Sequence, residues 1–401
     1  VHLLHVTPYY RDAWGYGGIP RVATALCAGL AGRGHRVTVC TTDVRDSSSR
    51  TSGPAMRDRL RPGRAFLDHA GVEVHVFPNL SNTLAYRAQL FVPLGLRAFL
   101  RQEAGRFHLA HIHGHHHLPG SIAAAELRRA GVPHVITPNG TAPRIERRIL
   151  AKWLFDVTLG RGVLAGAERI IAVSRAEQRQ LERLGIPPTR IRVVHNPVEV
   201  DAFRVPRLRG AFRRRWGIPF KRFVLYLGQI TPRKQVDLLV RAFARLATPE
   251  LGLVIAGNDA GAAVRVRAAV RQLGLQARVL FTGQLEGQQR PEALHDADVV
   301  AYPGRDEIFG LVPLEALLCG TPVVVADDSG CGEVIRAVGG GLVVRQGDPA
   351  ALAGALAAVL EGQPGWRKAA AEAGERVAQQ FSPETIASGV ERVYAELVGG
   401  P

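Results

Sequence analysis

Short apolar runs alternate with helix-patterned stretches along the whole chain. In the first half they lie at 2–7, 36–42, 72–77, 109–113, 134–138, 169–174 and 191–195, and in the second at 223–228, 251–257, 278–283, 298–302, 321–326 and 341–344. Most are rich in Val, Ile and Leu, and each is too short for a buried helix. Nearly continuous apolar strands separated by helices imply parallel sheets covered on both faces, an α/β class. At 401 residues the chain is too long for one ordinary core. The expected division is one α/β domain over 1–198 and a second over 199–381, joined through the polar turn His195-Asn196-Pro197-Val198-Glu199-Val200-Asp201. A last segment, 382–401, opens with Ser382-Pro383-Glu384, a good N-cap with proline just inside the helix. The polar run from Ser47 to Arg64 reads as a mobile surface loop.

Composition narrows the partners. A net charge of +16 favours anions: nucleotide phosphates, an acidic lipid surface or nucleic acid. Nucleic-acid binding needs basic residues interleaved with aromatics on an exposed face, and aromatics make up only 6% of the chain, so none is expected. Four cysteines show no CxxC spacing and read as buried core residues in a reducing cytosol. No run approaches the length of a membrane-spanning helix. The apolar residues 2–7 read as a first core strand, not as a signal peptide. Arg144, Arg147, Arg148, Lys152 and Arg161, interleaved with Trp153, Leu154 and Phe155, predict a basic amphipathic helix that could meet anionic headgroups at the inner face of the cytoplasmic membrane.

The segment Arg305-Asp306-Glu307-Ile308-Phe309-Gly310-Leu311-Val312-Pro313-Leu314-Glu315 carries two glutamates with seven residues between them. It reads as a loop entering a short helix between two strands, with Pro313 at the first helical position and Gly320 at the end. Gly310 lets backbone approach a ligand where the helix start attracts anions. A carboxylate can accept from two vicinal hydroxyls, which suits a ribose or sugar ring. Upstream, Arg233 and Lys234 follow the strand ending at Gly228; two cations there suit a diphosphate whose charge grows as its bond to sugar breaks. Gly283 and Leu285 flank another turn after a strand. In the first half, Gly17 and Gly18 lie in Trp14-Gly15-Tyr16-Gly17-Gly18-Ile19-Pro20, a glycine turn opening a helix. It departs from a dinucleotide fingerprint because Pro20 stands where the last glycine would be, which weighs against NAD or FAD. Six histidines, His108, His111, His113, His115, His116 and His117, fall within ten residues. His111 and His113 share a sheet face by their spacing of two. His115 to His117 read as exposed loop residues, with acceptor contact as the alternative. No acidic or cysteine ligand lies near them in sequence, so no metal is expected.

Taken in order, the Gly-Gly turn, His-x-His strand, linker, Arg-Lys pair, Glu-x7-Glu unit and final helix resemble retaining GT-B glycosyltransferases (glycosyl transferases group 1, family 4-like, as in bacterial cell-surface polysaccharide synthesis). The resemblance covers nearly the whole chain, and it departs upstream of the strand, where Phe107-His108 replaces the more usual Phe-Asp. It implies two Rossmann-like domains facing each other across a cleft, acceptor in the first and nucleotide-sugar in the second, with the last helix returning to brace the first. It implies Glu315 on the donor ribose, and Glu307 and His113 beside the donor sugar. Arg233 and Lys234 would hold diphosphate, with Gly17, Gly18, Gly283, Leu285, Phe309, Gly310 and Leu311 lining the donor. The implied activity is metal-independent, cofactor-free transfer, UDP-sugar favoured over GDP-sugar, to a glycan or lipid-linked acceptor. An epimerase or phosphorylase on a similar scaffold and a histidine-dependent metallohydrolase are the other enzymatic readings, and a charge-driven nucleic-acid binder the alternative outside enzymes.

Overall fold

The computed structural model describes residues 1–11, 13–45, 65–144, 149–204, 210–327 and 330–399, so the expected loop from Ser47 to Arg64 lies outside the described residues. The chain forms two compact units. One comprises Val1–Pro197 together with the segment from Pro383 onward, and the other Val198–Ser382.

The first unit holds an eight-stranded sheet of β1 (His2–Val6), β2 (Arg36–Thr42), β3 (Ala65–Leu67), β4 (Glu73–Phe77), β5 (Leu109–His113), β6 (His134–Thr137), β7 (Arg169–Ala172) and β8 (Ile191–Val193). Their order is β3-β4-β2-β1-β5-β6-β7-β8, and only β3 runs antiparallel. Alternate side chains feed two cores. Leu4, Val6, Ala110, Ile112 and Ile136 pack on one face, and Leu3, Val37, Val39, Val74 and Leu109 on the other. The second core is closed by the helices Ile19–Gly32 and Pro383–Val398, whose Leu26, Leu30, Ile386, Val390 and Tyr394 join it. The two helices approach so closely that a Cβ on Gly29 would lie 2.4 Å from the Pro383 carbonyl oxygen, which only glycine permits.

The second unit holds six parallel strands, β9 (Arg222–Leu227), β10 (Leu251–Ala256), β11 (Val279–Gly283), β12 (Val299–Tyr302), β13 (Val323–Asp327) and β14 (Gly341–Arg345), in the order β11-β10-β9-β12-β13-β14. β9, β10 and β12 are wholly buried apart from Arg222, as expected for strands covered on both faces.

Each sheet therefore has one place where the chain reverses its direction of winding: between β1 and β5 in the first, and between β9 and β12 in the second. Crossovers leave on opposite sides there, and a crevice opens beyond the strands' carboxyl ends. The histidine strand is β5. The Arg-Lys pair follows β9, and the glutamate loop follows β12.

Candidate functional site

In the second unit, β9 ends at Leu227, and a 3-10 turn, Pro232–Lys234, follows. The Thr231 hydroxyl caps this turn by accepting from the Lys234 amide at 3.3 Å. The Lys234 side chain is thereby directed inward and is buried. Its Nζ donates to the Tyr302 hydroxyl at 2.5 Å and pairs with the Glu307 carboxylate. Tyr302 ends β12, and its ring stacks on Tyr226 of β9, with centroids 6.4 Å apart. The loop after β12 is tied to the turn after β9 twice: Arg305 N donates to Arg233 O at 2.9 Å, and Arg233 Nη1 to Asp306 O at 3.0 Å. Arg233, Lys234 and Glu307 are thus gathered at the β9/β12 reversal, with Tyr302 added by the fold.

Burial dominates this cluster's electrostatics. It pushes the Lys234 ammonium below its usual range, and the Glu307 charge opposes that only in part. Burial would raise the Glu307 carboxyl, but the Lys234 and Arg233 charges outweigh it and hold it below its usual range. Each partner's charge favours the charged form of the other, with Arg233 beside the pair as a second cation. A group of this composition can cradle an anion through the two cations and accept from a hydroxyl through the carboxylate.

The glutamate loop enters the helix Leu311–Leu318 through Gly310 at φ +80°. The helix starts two residues before Pro313, not at it. The amides of a first turn have no partners within the helix, so proline's missing N–H costs nothing there. A Cβ on Gly310 would lie 2.5 Å from Cys331 Sγ, and Cys331 N donates to Glu307 O at 3.0 Å. Glycine is required at this position by both its conformation and its neighbour. Leu311 opens the helix half-buried, and Phe309 is buried against Phe381, centroids 5.7 Å apart. Glu315 lies two residues deeper in the helix than a start at Pro313 would put it. It is fully buried, its Oε2 accepting from Arg290 Nη2 at 2.8 Å. Gly283 stands exposed at the end of β11, and Leu285 is buried just beyond.

Gly17, Gly18 and His113 belong to the first unit. Gly18 precedes the helix Ile19–Gly32 without a side-chain cap. His113 ends β5, and a Cβ on the next residue, Gly114, would lie 3.8 Å from Ile19 Cδ1, so the two loops adjoin at the β1/β5 reversal. His113 Nε2 is 2.9 Å from His5 Nδ1, and its ring stacks on His111 at 4.3 Å. His111 is in turn held by the Tyr394 hydroxyl at 2.6 Å and by Thr137 Oγ1 at 2.7 Å. Burial keeps all three rings neutral, lowering His113 to about 3 and His5 and His111 well below the usual histidine value. A base that weak at neutral pH serves as a hydrogen-bonding group rather than a proton acceptor.

His115 and His117 are buried, contrary to the expectation of exposed loop residues. His117 caps the helix Leu118–Ala130, its Nδ1 accepting from Gly120 N at 3.0 Å while Nε2 donates to His113 O at 2.8 Å. His115 and His116 meet Asp156. Sequence reasoning also missed His5, Tyr302 and Arg290. His5 and Tyr302 had a signal, a polar residue at or near a strand's carboxyl end. Arg290 had none, because its helix meets the Glu315 helix only in three dimensions.

The chain matches the family model Glycosyltransferase Family 4 over residues 16–202 and the model Glycosyl transferases group 1 over residues 209–379. It is 32% identical to a D-inositol 3-phosphate glycosyltransferase of Acidothermus cellulolyticus, across 98% of this chain and 89% of that one. It is equally identical to the D-inositol 3-phosphate glycosyltransferase of Xylanimonas cellulosilytica, across 98% and 95%. Among solved structures, Anabaena Alr3699/HepE in complex with UDP and glucose superposes with a TM-score of 0.75 at 19% identity, covering 99% of this chain and all of that one. A sucrose-phosphate synthase from Thermosynechococcus elongatus gives 0.74 at 20% identity, covering 99% and 98%. Two Rossmann-like parallel sheets, arranged in sequence as in those proteins, identify the fold as GT-B. The chain belongs to the glycosyltransferases that join a Glycosyltransferase Family 4 domain to a Glycosyl transferases group 1 domain.

Proposed function

We propose that the second unit binds a UDP-sugar and that the enzyme transfers the sugar with retention of its anomeric configuration. The observation that carries this reading is the cluster of Arg233, Lys234, Tyr302 and Glu307 at the β9/β12 reversal. UDP is favoured because structures of Alr3699/HepE, which shares the fold, hold UDP and UDP-glucose. In the proposed reaction the bond from the sugar's anomeric carbon to the diphosphate oxygen breaks, and the acceptor oxygen bonds to that carbon on the same face. The acceptor's proton passes to the departing diphosphate, whose charge Arg233 and Lys234 neutralise. That assignment gives the leaving-group role to side chains and calls for no metal or cofactor. Glu307 stays beside the sugar as an acceptor of its hydroxyls; its ion pair with Lys234 argues against a covalent nucleophile. Glu315 takes the ribose, sharing its carboxylate with Arg290. Gly283, Leu285, Phe309, Gly310 and Leu311 line the same donor, and His113, Gly17 and Gly18 are assigned to the first unit's share of the site.

For the acceptor, a glycan or lipid-linked sugar is the first reading, supported by the apolar helix Ile149–Val157, none of whose residues is buried. Its exposed stripe, with Lys152 as the helix's one basic residue, suits peripheral contact with a bilayer, while Arg147 and Arg148 of the expected basic helix lie outside the described residues; among the described residues no helix is long and apolar enough to cross a membrane. A phosphorylated inositol is the second reading, favoured by the names of relatives at 32% identity. The test is a thermal-shift panel of UDP-, GDP- and ADP-sugars, since ligand binding stabilises by mass action. NMR of the product's anomeric centre with each acceptor then follows. No shift with any donor sinks the donor assignment, and an inverted product sinks retention.

A further inference from the structure

Among the described residues, two clusters bring three metal-binding side chains together, and only the second includes a carboxylate. In the first, His5, His111 and His113, both nitrogens of His111 are hydrogen-bonded, and no carboxylate is present. In the second, His115, His116 and Asp156 bring three ligand atoms within 4.8 Å of one another. Asp156 Oδ1 lies 3.1 Å from His115 Nε2 and 2.8 Å from His116 Nε2. The two ring planes are tilted, with centroids 4.4 Å apart, and both rings abut Phe155.

The hydrogen-bond geometry of His116 points the same way. Its Nδ1 is 2.7 Å from the Thr141 carbonyl oxygen, which can only accept, so Nδ1 carries the hydrogen. A neutral ring then turns the lone pair of Nε2 towards a carboxylate oxygen at 2.8 Å. Two lone pairs at that distance need a cation between them, either a proton or a metal ion. A proton there would bridge only His116 and Asp156, whereas a metal ion would take a lone pair from each of His115, His116 and Asp156 at once.

The surroundings are those of a metal site. A ligating imidazole normally donates its other N–H to a backbone carbonyl, as His116 does to Thr141, and a ligating carboxylate is normally hydrogen-bonded on its second oxygen. Arg144 Nε donates to Asp156 Oδ2 at 2.8 Å, leaving Oδ1 for the shared position. The His115 amide donates to Thr141 Oγ1 at 2.6 Å, and His116 holds φ +53°, a conformation costly for a side-chain-bearing residue and retained where the surroundings enforce it. Four-coordinate zinc places its ligand atoms about 3.3 Å apart, so the two separations from Asp156 Oδ1, 3.1 and 2.8 Å, need open by about half an ångström at most.

We propose that His115, His116 and Asp156 bind one divalent transition-metal ion, zinc by the softness of its ligand set, with water in the fourth position. Two imidazoles disfavour magnesium and calcium, which take oxygen ligands. The ion would pin the helix Ile149–Val157, which carries Asp156, to the loop after β5. It has no part in the proposed transfer, and its existence does not depend on that reading.

The test uses untagged full-length protein, stripped with chelator and titrated with Zn2+ by calorimetry and with Co2+ by visible absorption. We expect one equivalent of Zn2+ with a Kd of about 1 µM or tighter, and cobalt ligand-field bands of a four-coordinate nitrogen–oxygen site. His116→Gln and Asp156→Asn should each weaken Zn2+ by about tenfold or more, whereas His5→Gln should leave it unchanged. No stoichiometric uptake, uptake that survives both substitutions, or loss in His5→Gln would each overturn the proposal. If a substituted chain fails to fold, the wild-type cobalt spectrum decides: four-coordinate bands at one equivalent support the site, and their absence overturns it.

Discussion

Lys234 carries the largest share of the expected chemistry for one side chain. It is buried, positively charged and aimed by Tyr302 and Glu307, so Lys234→Ala should lower turnover by about 10²–10³. Diphosphate release against UDP-sugar checks this, and turnover within a few-fold of wild type would remove Lys234 from the mechanism. Glu315 requires a more careful substitution. Its carboxylate is paired with Arg290, whose side chain is only 16% exposed, so Glu315→Ala would lose stability as well as activity, by about 3–5 kcal/mol. The double variant Glu315→Ala with Arg290→Met should recover much of that stability in denaturant melts without recovering turnover. Recovery of both would mean that Glu315 is structural only. At Gly310, alanine must accept φ +80° and a clash with Cys331 Sγ; about 1–3 kcal/mol should be lost, less if Cys331→Ala is introduced with it.

Among elements, the helix Ile149–Val157 turns its apolar side outward. Leu150 is 82% exposed and Leu154 57%, and Ile149, Trp153 and Val157 extend the same stripe. Vesicles rich in phosphatidylglycerol should therefore sediment the protein, and Leu150→Glu with Trp153→Glu should release it. Equal binding by the double variant would locate the membrane contact elsewhere. The strands were legible in the sequence because both faces of a parallel sheet are apolar, so β9, β10 and β12 appear as nearly continuous hydrophobic runs, and β1 and β5 as runs broken only by histidines. The exception, β3, is a three-residue antiparallel edge strand with two exposed positions, and it carries no such run. The cations after β9 and the glutamates after β12 were legible too, since strand ends are where chemistry collects. Their partners were not. Tyr302, Arg290 and Asp156 reach Lys234, Glu315 and His116 across 68, 25 and 40 positions, and a hydrogen bond of that span leaves no periodicity behind.

For the molecule as a whole, acid should weaken the fold. Burial, reinforced by neighbouring histidines, holds the pKa of His5 and His111 well below 6.5 in the folded chain, so below that pH the unfolded chain binds protons that the folded one refuses. Their stabilising contribution is present above about pH 6.5 and falls away beneath it, by about 1.4 kcal/mol per pH unit for each ring. Tm measured from about pH 7.5 to about pH 5.5 should drop, and a flat profile would mean that these rings accept protons where they sit. The return of Pro383–Val398 to the first unit bears on how the protein is made. Its Tyr394 seals the sheet face at His111, yet it is translated after the whole second unit. At cellular elongation rates, the second unit's span delays that seal by roughly ten to forty seconds. During that interval the ribosome displays a half-finished hydrophobic sheet, and whatever shields it there governs how much active enzyme a cell obtains.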